Sequence, residues 1–137
     1  MKKILFSIIP AMALVFVFSS CSKDDDNDAP ASTVQGSWSG TGTYGTSGGT
    51  PTYVFTLNFK ADGTVDITGD NSTTVDVATG TWRMVADSVK ATYKYAASSA
   101  IYTLSGKYTA GATVMTGTIG LDPVTAGVGL FTVTRQP

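Results

Sequence analysis

The feature that most constrains this chain is a period-two alternation of apolar and polar side chains, broken only by short turns, that runs from residue 34 almost to the C-terminus. Successive side chains of a β-strand point to opposite faces, so such a stretch lays one face on a core and the other in water. Eight stretches follow this rule, near 35–44, 52–60, 63–70, 77–86, 88–95, 100–108, 112–119 and 128–135, and no helical period competes with them. One face collects Trp38, Tyr44, Tyr53, Phe55, Leu57, Phe59, Ile67, Trp82, Met84, Tyr93, Tyr95, Tyr102, Leu104, Tyr108, Met115 and Phe131. The opposite face is mostly Thr, Ser, Lys and Asp. Every aromatic residue beyond the N-terminal segment falls on the first face.

The links between stretches decide the topology. Ala61-Asp62-Gly63, Ala86-Asp87 and Ala110-Gly111 are turn sequences far too short for a parallel crossover, which takes a dozen or more residues. The chain is therefore predicted to be all-β, with eight antiparallel strands running up and down. One apolar and one polar face suit a closed barrel, which also removes exposed strand edges; a two-sheet β-sandwich is the alternative. With an even number of strands the chain enters and leaves at one pole. The links there (61–63, 86–87, 109–111) are tight, and those at the far pole (45–51, 70–76, 96–99, 120–127) are longer. A binding mouth belongs at the far pole, where Tyr44, Tyr53, Tyr95 and Tyr102 have hydroxyls free to bond one another or a guest. Trp82, on the same inner face, is a further candidate contact, although a core role suits it better. Whether the barrel is hollow stays open. Its aromatics take much volume, while inward glycines at 40, 42, 80, 106 and 117 leave space.

Composition removes whole classes of chemistry. The sequence has no His, and its ten acidic residues are all Asp. Nucleophilic catalysis needs a base beside the nucleophile, and the remaining Asp and Lys are scattered on outward faces or turns, so the chain is not expected to be an enzyme. No metal set and no cofactor site is expected either. Lys plus Arg number 9 against 10 acids, a net charge of -1, which offers no basic field for nucleic acid.

The N-terminal 21 residues, MKKILFSIIPAMALVFVFSSC, pair Lys2 and Lys3 with an apolar run from Ile4 to Phe18 and the small Ser19 and Ser20 before Cys21. The run is shorter than the roughly 20 apolar residues of a spanning helix, and it reads as a secretory signal over 1–20. Cys21 is the only cysteine, so no internal disulfide can form. Ser19-Ser20-Cys21 resembles the lipobox of bacterial lipoproteins, with Phe18 in place of the usual aliphatic residue. That resemblance implies cleavage before Cys21 and acylation of its thiol, of the palmitate type, which would partner the protein with a membrane; a stray cysteine is the alternative. Residues 21–33 form an Asp-rich tether. Asp24, Asp25, Asp26 and Asp28 resemble the acidic signal that sends some lipoproteins to the outer membrane and the cell surface, and a self-repelling spacer is the competing reading. A calcium loop fails, because Ala29 stands where a loop glycine is needed and no Glu exists to close the site.

Gly36-Ser37-Trp38 on the first strand, taken with Arg135 at the end of the last, resembles the lipocalin and avidin type of barrel, here over 34–137. The resemblance implies that Gly36, Trp38 and Arg135 close one end, with the basic side chain packed over the indole. It also resembles the short lipocalin-like domains of uncharacterised bacterial lipoproteins. Two functions follow as expectations: the barrel binds a small apolar ligand among inward aromatics, or a side-chain-filled barrel presents its loops to a protein partner as an adhesin, a protease inhibitor or another interaction module. Barrel-shaped periplasmic protease inhibitors rely on a free N-terminal arm, which acylation would occupy.

If Cys21 carries the anchor, Cys21→Ala loses the acyl mass and moves the protein out of the membrane fraction. Unchanged detergent partitioning of that variant would show that the cysteine is not the anchor.

Overall fold

The computed structural model describes residues 33–137, and the predicted signal, Cys21 and the acidic tether lie outside them. The described chain forms eight strands: β1 (Gly36–Thr43), β2 (Thr52–Phe59), β3 (Thr64–Asp70), β4 (Val75–Val85), β5 (Ser88–Tyr95), β6 (Tyr102–Lys107), β7 (Val114–Leu121) and β8 (Gly127–Arg135). Each pairs antiparallel with its sequence neighbours, and β1 pairs with β8, so the sheet closes into an up-and-down barrel and the sandwich is excluded. The alternating pattern sets the register. Phe55, Leu57, Phe59, Val65, Ile67, Leu104, Met115, Phe131 and Val133 point inward and are buried, while Ser39, Thr56, Thr68, Thr92 and Thr132 face outward.

The pole where the chain enters is shut by Trp38. Its indole is fully buried and its Nε1 donates to the Val34 carbonyl at 2.9 Å. The Arg135 guanidinium lies over the ring, 4.7 Å from its centre, in the pairing the resemblance implied. The same guanidinium donates to the carbonyls of Gln35 at 2.9 Å and Thr33 at 2.7 Å, which draws the segment before β1 across the barrel end. Tyr108 donates its hydroxyl to the Thr33 carbonyl and sets its ring edge-on to the indole at 6.0 Å. Gly36 makes the bend from this strap into β1 at a φ of 108°, a region that side chains with a Cβ rarely adopt.

Three expectations need correction. The contrast between the poles is smaller than predicted, because the β6–β7 link spans 108–113 while the β3–β4 link is only 71–74. The inward glycines do not hollow the barrel. A Cβ at Gly42 would stand 2.5 Å from the Tyr53 ring, one at Gly106 would strike Met115 and Phe131, and one at Gly117 would strike Phe131. At Gly40 and Gly80 the neighbouring strand's backbone takes the space. Met84, expected inward, is exposed near the tip of the β4–β5 hairpin.

Truncating Trp38 removes the plug and the floor of the core together. Trp38→Ala is expected to cost about 3–5 kcal/mol, a large share of a small domain's stability, and Arg135→Ala less. Urea unfolding measures both, with Trp38→Phe as the milder variant where the alanine form does not fold. A loss below about 1 kcal/mol for Trp38→Ala would contradict the plug.

Candidate functional site

The opposite pole is open. The upper ends of β1 and β2 carry Tyr44 and Tyr53, whose rings meet at 4.6 Å, and Tyr53 stands edge-on to Phe55 at 5.8 Å. Across the barrel, β5 and β6 carry Tyr93, Tyr95 and Tyr102. Tyr93 stacks on Tyr102 at 5.7 Å, and Tyr95 sets its edge against both. Between the two clusters lies a cavity of about 280 Å³, lined by these five tyrosines with Thr43, Gly69, Asp76, Ala97, Ser98, Ile119 and Val128. That is room for roughly nine waters at liquid density. Phe55, Phe131 and Leu104 are packed and buried, so the hollow belongs to the open end alone.

The structure thus brings together the four predicted mouth tyrosines, Tyr44, Tyr53, Tyr95 and Tyr102. Tyr44 stands just past the end of β1 and is 54% exposed, so it forms the rim. Trp82 is not among them. It lies toward the closed pole, half-buried, with its ring against Phe59 at 5.4 Å and its Nε1 donating to the Lys60 carbonyl at 2.9 Å. There it pins the β2–β3 hairpin. A guest in the cavity would be reported by the tyrosines and not by Trp82.

Of the lining residues that the sequence does not single out, Tyr93, Gly69 and Asp76 shape the cavity most. Tyr93 was placed on the inner face without a role, and it forms a wall of the cavity. Gly69 was not counted among the inward glycines, yet it is the one that borders free space: a Cβ there would meet Tyr53 and the Tyr95 hydroxyl at ordinary contact distances of 3.4 and 3.5 Å. Asp76 lay outside the predicted fourth strand. Because β4 begins at Val75, Asp76 pairs with Gly69 and shares the inward phase of Ala78, which corrects the expectation that the domain's carboxylates are confined to outward faces and turns.

The mouth is framed by fewer loops than expected. Thr103 and Thr118 point outward from β6 and β7, and their hydroxyls donate to the carbonyls of Val124 and Thr125, both at 2.6 Å. The 122–126 loop therefore lies on the outer wall, and none of its residues lines the cavity.

Burial, with help from neighbouring phenols, holds Tyr53 and Tyr93 far above the ordinary tyrosine value of 10.0. Burial likewise pushes Tyr95 up to about 12, with Tyr102 and the Asp76 carboxylate adding to the rise and a hydrogen bond with Tyr93 opposing it. Among the described residues no three Cys, Asp, Glu or His side chains cluster as a metal site. Compared with protein-family models, curated proteins and solved structures, the chain matches none.

A phenol that is harder to ionise folded than unfolded stabilises the fold fully below the unfolded pKa and loses that contribution as pH rises through the folded one. Stability is thus expected to fall once pH exceeds 10.0, and for Tyr95 to go on falling to about 12. Urea midpoints at about pH 9 and pH 11 measure the loss, which Tyr93→Phe should reduce. Equal midpoints in the parent protein would contradict the buried-phenol assignment.

Proposed function

We propose that this chain is an exported, lipid-anchored binding protein that holds one small molecule in the open end of its barrel. The observation that carries the reading is the cavity itself. Its floor is packed, its walls are aromatic with a few polar groups, and its volume stands near the lower end of the range for ligand sites. Tyrosine suits such a site, since it offers a large rigid face at little conformational cost and a hydroxyl for orientation.

The anchor and the outer-membrane, surface-facing location rest on Ser19-Ser20-Cys21 and the acidic run that follows. Residue 33 lies at the closed pole, bound to Arg135. A tether joined there turns the mouth away from the membrane and toward whatever carries the ligand. The proposed role is binding without catalysis.

A second reading has one observation in its favour. Ile101, Leu121 and Val124 are exposed beside the mouth, Leu121 on the phase of its β6 partner Tyr102, and the Ile101 carbonyl accepts from the Asp122 amide at 3.1 Å. Such a patch suits a protein partner.

Native mass spectrometry of the protein purified from its own host separates the two. The binding reading expects a small adduct at about one per chain, lost in Tyr44→Ala at a nearly unchanged unfolding midpoint, because a rim residue loses ligand contact and little core. Val124→Lys, on the outer wall, should leave that adduct in place. A protein that carries nothing and binds no apolar probe would overturn the pocket and leave the outer patch as the functional surface.

A further inference from the structure

We infer that the cavity at the open pole takes an organic cation, an alkylated ammonium group seated among the tyrosine faces with its charge matched by Asp76. This rests on the reading of the cavity as a ligand site and names the chemistry of its ligand.

The charge comes first. Asp76, exposed at the rim, is the single charged residue lining the cavity. Among the described residues it makes no ion pair and no side-chain hydrogen bond, and the domain's own cations are engaged or placed elsewhere. Lys60 is held by Asp66 at 2.7 Å, and Lys107 stands by Asp87 at 3.8 Å. Arg135 lies over Trp38 at the other pole, and Arg83 on β4 with its partner Lys90 and Lys94 on β5 sit on the outward phase, opposite in direction to Tyr93 and Tyr95. Asp76 faces Gly69 across the β3–β4 pair, so no side chain from β3 screens it from the Tyr53 ring and the Tyr95 hydroxyl.

The walls come second. An aromatic face carries the negative part of the ring quadrupole and attracts a cation within about 6 Å of its centre. In an eight-stranded barrel the first two strands stand across from the fifth and sixth, so Tyr44 and Tyr53 confront Tyr93, Tyr95 and Tyr102 over the cavity. A bulky, weakly hydrated cation with an alkyl surface fits such a cage, because its charge is spread over groups that also contact the rings.

The alternatives fit less well. An anion meets a carboxylate and no Lys or Arg. A hard metal ion wants about six oxygen ligands, and one carboxylate among phenols supplies too few. A neutral guest would help to desolvate Asp76 and offer it no charge.

The test uses the full chain in a maltoside detergent, titrated by calorimetry with choline and with dimethylbutanol, its neutral isostere in which carbon replaces the ammonium nitrogen. The pair has one shape and differs in charge. Choline is expected to bind about tenfold tighter than the isostere. In Asp76→Asn that ratio should collapse toward one, and Tyr95→Leu should weaken choline by several-fold. Equal binding of the two in the parent protein, sensitive to Tyr95→Leu, overturns the cation assignment and leaves the pocket standing. A preference for choline that survives Asp76→Asn unchanged overturns the role given to the carboxylate. Failure of choline, the isostere and an apolar dye alike overturns the pocket together with its cation.

Discussion

A guanidinium laid over a buried indole shuts one end of this barrel, and the rest of the structure depends on that end being shut. Without a plug, an eight-stranded barrel of this size has two mouths through which water reaches its core. Trp38 supplies area, and Arg135 supplies direction, because its planar fork satisfies two carbonyls of the entering chain while its face covers the ring. Lysine could not do both. The strap so formed also buries Val34 and gives the Trp38 Nε1 its acceptor, so no polar atom at the plug lacks a partner.

Above the plug the barrel fills in layers and then stops filling. Phe59 pairs with Val65 and Leu57 with Ile67 in successive inward rows below Phe55, and Gly40, Gly42, Gly80, Gly106 and Gly117 are each covered by a ring, a thioether or a neighbouring strand. The layer at the mouth breaks this rule. There Gly69 contributes no side chain, Asp76 is short and polar, and the tyrosines stack along the walls. The hollow is what remains when large side chains line a wall instead of crossing a lumen.

The fold was legible because nearly every strand obeys one rule. Where aromatic and β-branched residues alternate with Thr and Lys, as in Tyr53-Val54-Phe55-Thr56-Leu57 or Val89-Lys90-Ala91-Thr92-Tyr93, burial and pattern agree. The candidate site was half legible for the same reason. Its tyrosines continue the inward phase, so they could be assigned to the far pole. Asp76 could not, because the pattern inverts at the start of β4: Val75, Asp76 and Val77 are all exposed, the valines at 62% and 53%, and it is the carboxylate that takes the inward phase at the rim. Hydrophobic alternation cannot find a polar residue facing a cavity, since it takes inward to mean apolar. Trp82 was misleading in the opposite way. Its phase is correct, but phase says nothing of height along the barrel, and only the hydrogen bond to Lys60 reveals which end it serves.

The two ends of the described chain are tied to each other. Arg135 holds Thr33, and the Gln136 amide donates to the Ser37 carbonyl at 2.8 Å. Chain termini are where most domains begin to fray, and here that route is closed at the pole where it would start. Local opening costs less where no such bonds cross the barrel end, as at the pole rimmed by the exposed Tyr44. A barrel bonded across one pole and open at the other concentrates its low-cost fluctuations at the open pole.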